Sequence, residues 1–202
     1  IFGADRMDGG SVELDGCRLH IKSPRDAIRN GICLLTEDRK GQGLVLGQSV
    51  QENFGLPNLG DFSGNLLLDA SRESDAFARF VRKMKIKVSD HSQLAGTLSG
   101  GNQQKVVLAK WLQKNAQVII FDEPTRGIDV GAKFEIYQIL QSLAEDGKVI
   151  LMISSELPEI LGMSDRIIVM NEGRVTGEIE NCSSATQEDV MKLATQTEKA
   201  AA

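Results

Sequence analysis

Long apolar runs are missing from this 202-residue sequence: none approaches the roughly 20 residues needed to cross a bilayer, so attachment to a membrane has to come through a partner. The N-terminus lacks the charged-then-apolar pattern of an export signal, which leaves the cytoplasm as the expected compartment. Excess positive charge is lacking as well. A net charge of −5, from 23 Lys and Arg against 28 Asp and Glu, offers no basic face for a phosphodiester backbone, and no nucleic-acid partner is expected. Cys17, Cys33 and Cys182 are odd in number and far apart, with no C-x-x-C pair and only His20 and His91 as imidazole partners. Free thiols in a reducing compartment fit that pattern better than a metal site or a disulfide. Aromatic residues are few and no internal repeat is present. The length suits one domain with a sizeable core, carrying an inserted helical lobe.

What is present is most informative at Leu98-Ser99-Gly100-Gly101-Asn102-Gln103-Gln104-Lys105. Ser99 is placed to cap a helix whose first turn holds Gly100 and Gly101, so backbone N–H groups face outward with no Cβ to block an approaching anion. Downstream, Val118-Ile119-Ile120-Phe121 ends in Asp122-Glu123. An apolar run closing on two carboxylates is the pattern of a buried strand delivering acids to a Mg²⁺-nucleotide site. A surface acid pair at a strand end is the plainer alternative.

Local signals set out the elements around these motifs. Ile1–Gly10 reads as the tail of a helix that starts upstream. Ser11–Leu14 and Arg18–Ile21 alternate around Asp15-Gly16 as a hairpin does. Ser23 caps a short helix with Pro24 at N1 and Asp26 at N3, closed by Asn30-Gly31, and a buried strand follows at Ile32–Leu35. Phe77, Phe80, Val81 and Met84 form the apolar stripe of a helix within 69–87. A helix over 102–114 sets Val107, Leu108, Trp111 and Leu112 on one side, with Trp111 as packing. Asp129 caps a helix that buries Ile136, Ile139, Leu140 and Leu143, and Lys148–Ile153 is a further buried strand. Arg166–Met170 and Arg174–Ile179 flank the turn Asn171-Glu172-Gly173. Thr186-Gln187-Glu188-Asp189 opens a last helix, which frays into Glu198–Ala202.

Taken together, LSGGNQQK and VIIFDEPTRGID resemble, in order and separation, the signature sequence, Walker B strand and D-loop of an ABC-type ATPase. With Glu37-Asp38-Arg39-Lys40 upstream and Ser154-Ser155-Glu156-Leu157-Pro158-Glu159 downstream, nearly the whole chain is similar to the second cassette of the duplicated ATPase subunit of bacterial simple-sugar importers of the ribose type. The resemblance implies an α/β P-loop ATPase fold with a mainly parallel sheet, a small antiparallel part and an α-helical lobe inserted at about 48–112. It implies a nucleotide-binding domain over 1–180, then a C-terminal helix and tail over 181–202. ATP and Mg²⁺ are the implied cofactors. By the same resemblance Ser99, Gly100, Gly101, Asn102 and Gln103 grip the γ-phosphate of ATP held by a partner cassette. At this cassette's own site Asp122 holds Mg²⁺, usually through water, with Glu37 in reach of it, and Glu123 orients or deprotonates the attacking water. Asp129 contacts the partner across the cassette interface, beside its capping role. The implied partners are an N-terminal cassette of the same polypeptide, transmembrane permease subunits and, indirectly, a periplasmic sugar-binding protein. They place the chain on the cytoplasmic face of the plasma membrane.

The sequence departs from the family pattern at three points. Glu37 stands where a glutamine is usual; a carboxylate reaches a metal but donates no hydrogen bond unless protonated. A solvated mixed-charge loop is the other reading of that stretch. Ser155 stands where a switch histidine is usual and carries no positive charge toward a γ-phosphate. No G-x-x-x-x-G-K-[ST] occurs: Gly96 and Gly101 have the spacing but lead into Asn102 and Gln103, and Gly41-Gln42-Gly43 lacks the third glycine of a dinucleotide fingerprint. The expectation is a fragment whose upstream residues were removed and which, by itself, hydrolyses little ATP. A sugar-importer cassette leads; a degenerate regulatory cassette and an ABC ATPase of DNA repair or translation are the alternatives. No long basic or coiled-coil insertion supports the last of these.

Overall fold

The computed structural model of the chain describes residues 1–63, 67–180 and 182–195. Contacts divide the chain into two compact units, Ile1–Ile153 and Ser154–Ala202.

Residues 1–11 form no helix, contrary to the sequence reading. Gly3 and Gly10 adopt φ of +78° and +82°, and Gly3 lies so near Ile21 and Ser23 that a Cβ there would meet both at 2.8 Å. The hairpin forms as expected: β1 (Val12–Leu14) pairs antiparallel with β2 (Cys17–Leu19) across Asp15 and Gly16, whose φ of 50° and 74° are the left-handed pair a two-residue turn needs. In α1 (Pro24–Arg29), Ser23 Oγ accepts from the Asp26 N–H at 3.4 Å, while the Asp26 carboxylate accepts from Ser23 Oγ and the Lys22 N–H.

The main sheet runs β3 (Ile32–Leu35), β4 (Val118–Asp122), β5 (Val149–Ile153), all parallel, with Ile32 opposite Val118 and Val118 opposite Val149. Central β4 buries Ile119 and Phe121 completely. Ile32 and Ile120 pack with Ala27 of α1, backed by Phe2, Leu19 and Ile21. The expectation of a buried β5 is corrected. It pairs only with β4 among the described residues, and Val149, Leu151 and Ile153 are 54%, 37% and 50% exposed along one face.

Between β3 and β4 the chain makes a short π-helical turn, Arg39–Gly43, then α2 (Val50–Gly55), α3 (Leu59–Phe62), α4 (Ala70–Lys83) and α5 (Gly100–Gln113). Ser49 and Glu52 close a reciprocal capping box on α2, and Asp69 caps α4. Phe54 is the centre of the lobe, with ring centroids of Phe62, Phe77 and Phe80 at 5.9, 5.2 and 5.5 Å. The buried Asn58 amide donates to the carbonyls of Phe54 and Lys110, tying the lobe to α5.

Helix α5 is wrapped more fully than one apolar side implies. Gln103, Gln104, Lys105 and Lys110 are buried beside Val106, Val107 and Leu108. Lys105 Nζ meets Glu135 Oε2 at 2.7 Å and donates to the Lys85 carbonyl, so its charge is compensated inside the protein. Lys110 Nζ donates to the Gly43 carbonyl, and burial pushes that ammonium down from 10.5 to about 8. Below pH 8 Lys110 is protonated folded and unfolded alike, and the folded state bears the full cost of burying the charge. From pH 8 to 10.5 the unfolded chain holds more protons, and stability rises. The gain is on the order of 3 kcal/mol. Urea melts of wild type and Lys110→Met across that range should therefore show wild type gaining on the variant, with a flat difference below pH 8.

Helix α6 (Val130–Glu145) follows β4 and buries Ile136, Leu140 and Leu143, with Ile139 half-buried. In the second unit, α7 (Leu157–Met163), β6 (Ile167–Asn171), β7 (Arg174–Ile179) and α8 (Gln187–Ala194) enclose Ile167, Val169, Cys182 and Val190. β6 and β7 pair antiparallel across Glu172 and Gly173, both left-handed, and Thr186 with Asp189 forms the capping box of α8. The low-complexity Glu198–Ala202 lies outside the described residues. All three cysteines are free; burial raises Cys33 to about 12, which keeps that thiol protonated.

Candidate functional site

Ser99 takes the N-cap position of α5 with extended backbone, φ −63° and ψ 155°, yet its side chain makes no capping bond. Its hydroxyl instead accepts from the Asn102 amide at 3.0 Å, and Asn102 Oδ1 accepts from the Lys87 N–H at 2.8 Å. The first N–H groups of α5 are thus left without the side-chain partner the sequence suggests, as an anion-receiving helix end requires. Gly100 is half-buried against the Gly127 carbonyl. Gly101 is buried, and a Cβ there would fall 2.8 Å from Ala132 Cβ of α6. Gly101 therefore serves the approach of α5 to α6 as well as the openness of the tip. Gln103 points away from it: only 3% exposed, its amide donates to the Ala95 carbonyl at 3.1 Å.

The acid pair ends β4. Asp122 is half-buried, and its pKa is raised by burial first, then by the negative charges of Glu37 and Glu123, which brings these three carboxylates into one electrostatic neighbourhood. Glu123 has φ +47°, a left-handed conformation that costs a non-glycine residue about 1–2 kcal/mol. Its N–H donates to the Ile153 carbonyl at 2.9 Å and its carbonyl accepts from the Arg126 N–H at 3.2 Å, which hold the strained residue at the strand end. Glu37 forms an ion pair with Arg126, an interaction the sequence reading did not include. Asp129 caps α6, accepting from the Ala132 N–H at 3.0 Å. Ser155 lies in the second unit, in the connection between β5 and α7.

Among the described residues no three His, Cys, Asp or Glu side chains gather into a metal cage. Mg²⁺ on a nucleotide needs no cage; one or two carboxylates plus phosphate oxygens and water suffice. The Asp122 carboxylate, with its pKa raised by burial and by the charges of Glu37 and Glu123, fits such an ion. A concavity of about 530 Å³ beside the hairpin, bounded by Arg6, Arg18, His20 and Lys22 among others, includes none of the residues singled out from the sequence. Nor is any described helix long and apolar enough to cross a membrane.

The family model of ABC transporters matches residues 1–126, and the chain belongs to that family, an ATP-binding cassette in fold. That span takes in the signature stretch and ends just past Asp122 and Glu123.

Among its relatives are a putative ribose/galactose/methyl galactoside import ATP-binding protein of Rhizobium etli and the ribose import ATP-binding protein RbsA of Bacillus subtilis. The first is 53% identical over 195 residues, covering 96% of this chain and 37% of that protein. The second is 51% identical over 195 residues, covering 96% and 39%. The chain thus spans under two fifths of the length of the curated relatives it matches. A solved nucleotide-free ATP-binding cassette from an ABC transporter superposes with a TM-score of 0.78 at 21% identity, over 97% of this chain and 77% of that one. That likeness establishes the cassette fold, with its parallel sheet and small antiparallel parts.

Proposed function

We propose that this chain is a nucleotide-binding cassette of an importer for ribose or a related monosaccharide, working within a longer polypeptide. Identity above 50% with sugar-import ATP-binding proteins over nearly the whole chain carries this reading. In it, residues 1–180 form the nucleotide-binding domain, with the lobe at about 48–112, and 181–202 an appended helix and tail. The tip formed by Ser99, Gly100, Gly101 and Asn102 offers backbone N–H groups to the γ-phosphate of ATP on an N-terminal cassette. Gln103 supports the tip from within. At this cassette's own site a second ATP supplies the phosphoryl group, Asp122 would hold its Mg²⁺ with Glu37 nearby, and Glu123 accepts a proton from the attacking water. Asp129 presents the turn before α6 to the partner cassette, and Ser155 occupies the switch position. The lobe leans on permease subunits at the cytoplasmic face of the membrane, and a periplasmic binding protein delivers the sugar.

By itself the chain should show no ATP turnover above background, since no phosphate cradle of the G-x-x-x-x-G-K-[ST] type is among its residues. In the complete importer, Gly100→Asp sets a carboxylate at the tip and is expected to abolish sugar-stimulated turnover. Turnover by the chain alone at the rate of the complete assembly, or an active Gly100→Asp importer, would refute the reading.

The plainest competitor is a cassette that binds nucleotide without hydrolysing it. Glu37 held by Arg126 and serine at 155 favour it, and the Glu123 substitution argued below separates the two.

A further inference from the structure

Arg39 opens the π-helical turn after β3, and its backbone is fixed from several directions. Asp38 caps the turn by accepting from the Gly41 N–H at 2.9 Å, and the Arg39 carbonyl accepts from the Leu44 N–H at 2.8 Å. Gly43, at the end of the turn, packs on Val107 of α5 and accepts from Lys110. From this base the side chain reaches two other segments. Arg39 Nη2 lies 3.4 Å from where a Gly100 Cβ would stand and 3.8 Å from the equivalent point at Gly127. Gly127 O is in turn 3.3 Å from that Gly100 point, so the guanidinium sits at the junction of the signature tip and the turn before α6. Arg39 Nε is buried with no hydrogen-bond partner. Glu37, two residues earlier, pairs with Arg126, so the loop 36–43 grips the segment 122–129 at two points.

Steric filling alone does not call for arginine here. A cation beside the positive end of a helix is electrostatically opposed, and burial disfavours its charge further. We propose that Arg39 is a positioning residue for nucleotide capture: its guanidinium sets the spacing of the Gly100 and Gly127 turns and adds positive potential at the tip of α5. This rests on the signature tip meeting nucleotide.

The test uses Arg39→Met, of similar length without charge, and Arg39→Lys, which keeps the charge and loses the fork. In the 202-residue chain, hydrogen–deuterium exchange should rise in Arg39→Met over peptides covering 98–104 and 125–132, and not over 70–83. In the complete importer, Arg39→Met is expected to raise KM for ATP about tenfold with a smaller change in kcat, and Arg39→Lys to recover part of the KM. Unchanged exchange in both peptides, or a KM within twofold of wild type, would overturn the proposal. Should Arg39→Met fail to fold by circular dichroism, Arg39→Lys carries the test: a wild-type KM together with wild-type exchange refutes it. Gly100→Asp run in parallel separates the two claims. If that variant stays active, the reading of the tip is wrong; if it is dead while Arg39→Met behaves as wild type, only the role of Arg39 fails.

Discussion

If the chain works within an importer as proposed, Glu123→Gln in the complete assembly is expected to lower ATP turnover by about 10²- to 10⁴-fold, the range a positioned proton acceptor supplies. The substitution keeps shape and length and removes the carboxylate's charge together with its capacity to take a proton. Glu123 holds its left-handed φ of +47° through backbone bonds from its own N–H and carbonyl, and glutamine inherits both. Thermal stability should therefore move little while turnover collapses, and ATP binding should survive. The local field supports that division of labour. Asp122 has its pKa raised by burial and by its two acidic neighbours, and a cation relieves this, whereas Glu123 stands one residue beyond on the strained turn. Turnover of Glu123→Gln within twofold of wild type would assign this cassette a regulatory role.

The largest stability effect is expected at Phe54. Its ring is fully buried and touches Phe62, Phe77 and Phe80, so Phe54→Ala empties the centre of the helical lobe. A loss of about 3–5 kcal/mol is expected, read as a fall in urea midpoint. Because the chain forms two compact units, the damage should stay local. Exchange should rise over α2, α3 and α4, and peptides from β6 and β7 should keep their protection. A loss below about 1 kcal/mol would mean the lobe collapses onto the vacancy, and the aromatic cluster is not its anchor.

Much of the fold was legible because its signals are local. Asp15-Gly16 dictates a tight hairpin, Ser23-Pro24 and Thr186 announce helix starts, and the spacing of Phe77, Phe80, Val81 and Met84 marks one helical face whichever neighbour covers it. What escaped depends on residues distant in sequence. Lys105 and Lys110 look like solvated charges until Glu135 and the Gly43 carbonyl, 30 and 67 positions away, are brought to them. Ser99 reads as a cap from sequence, and only the folded Asn102 amide reveals that its hydroxyl is engaged elsewhere. Arg39 carried no signal of its own; its meeting with Gly100 and Gly127 exists only once three separate loops converge. Helix tip and acid pair were recognisable as motifs, whereas the pairing of Glu37 with Arg126 was not, since mixed charges in a loop name no partner.

The bare side of β5 bears on how the chain behaves at high concentration. A parallel strand with Val149, Leu151 and Ile153 turned outward and one row of peptide groups unmatched among the described residues is a template for another strand. Copies of the chain at high concentration have every reason to stack along that rim. Salt, dilution and a lysine placed at 151 thus become practical levers on self-association, independent of any nucleotide chemistry.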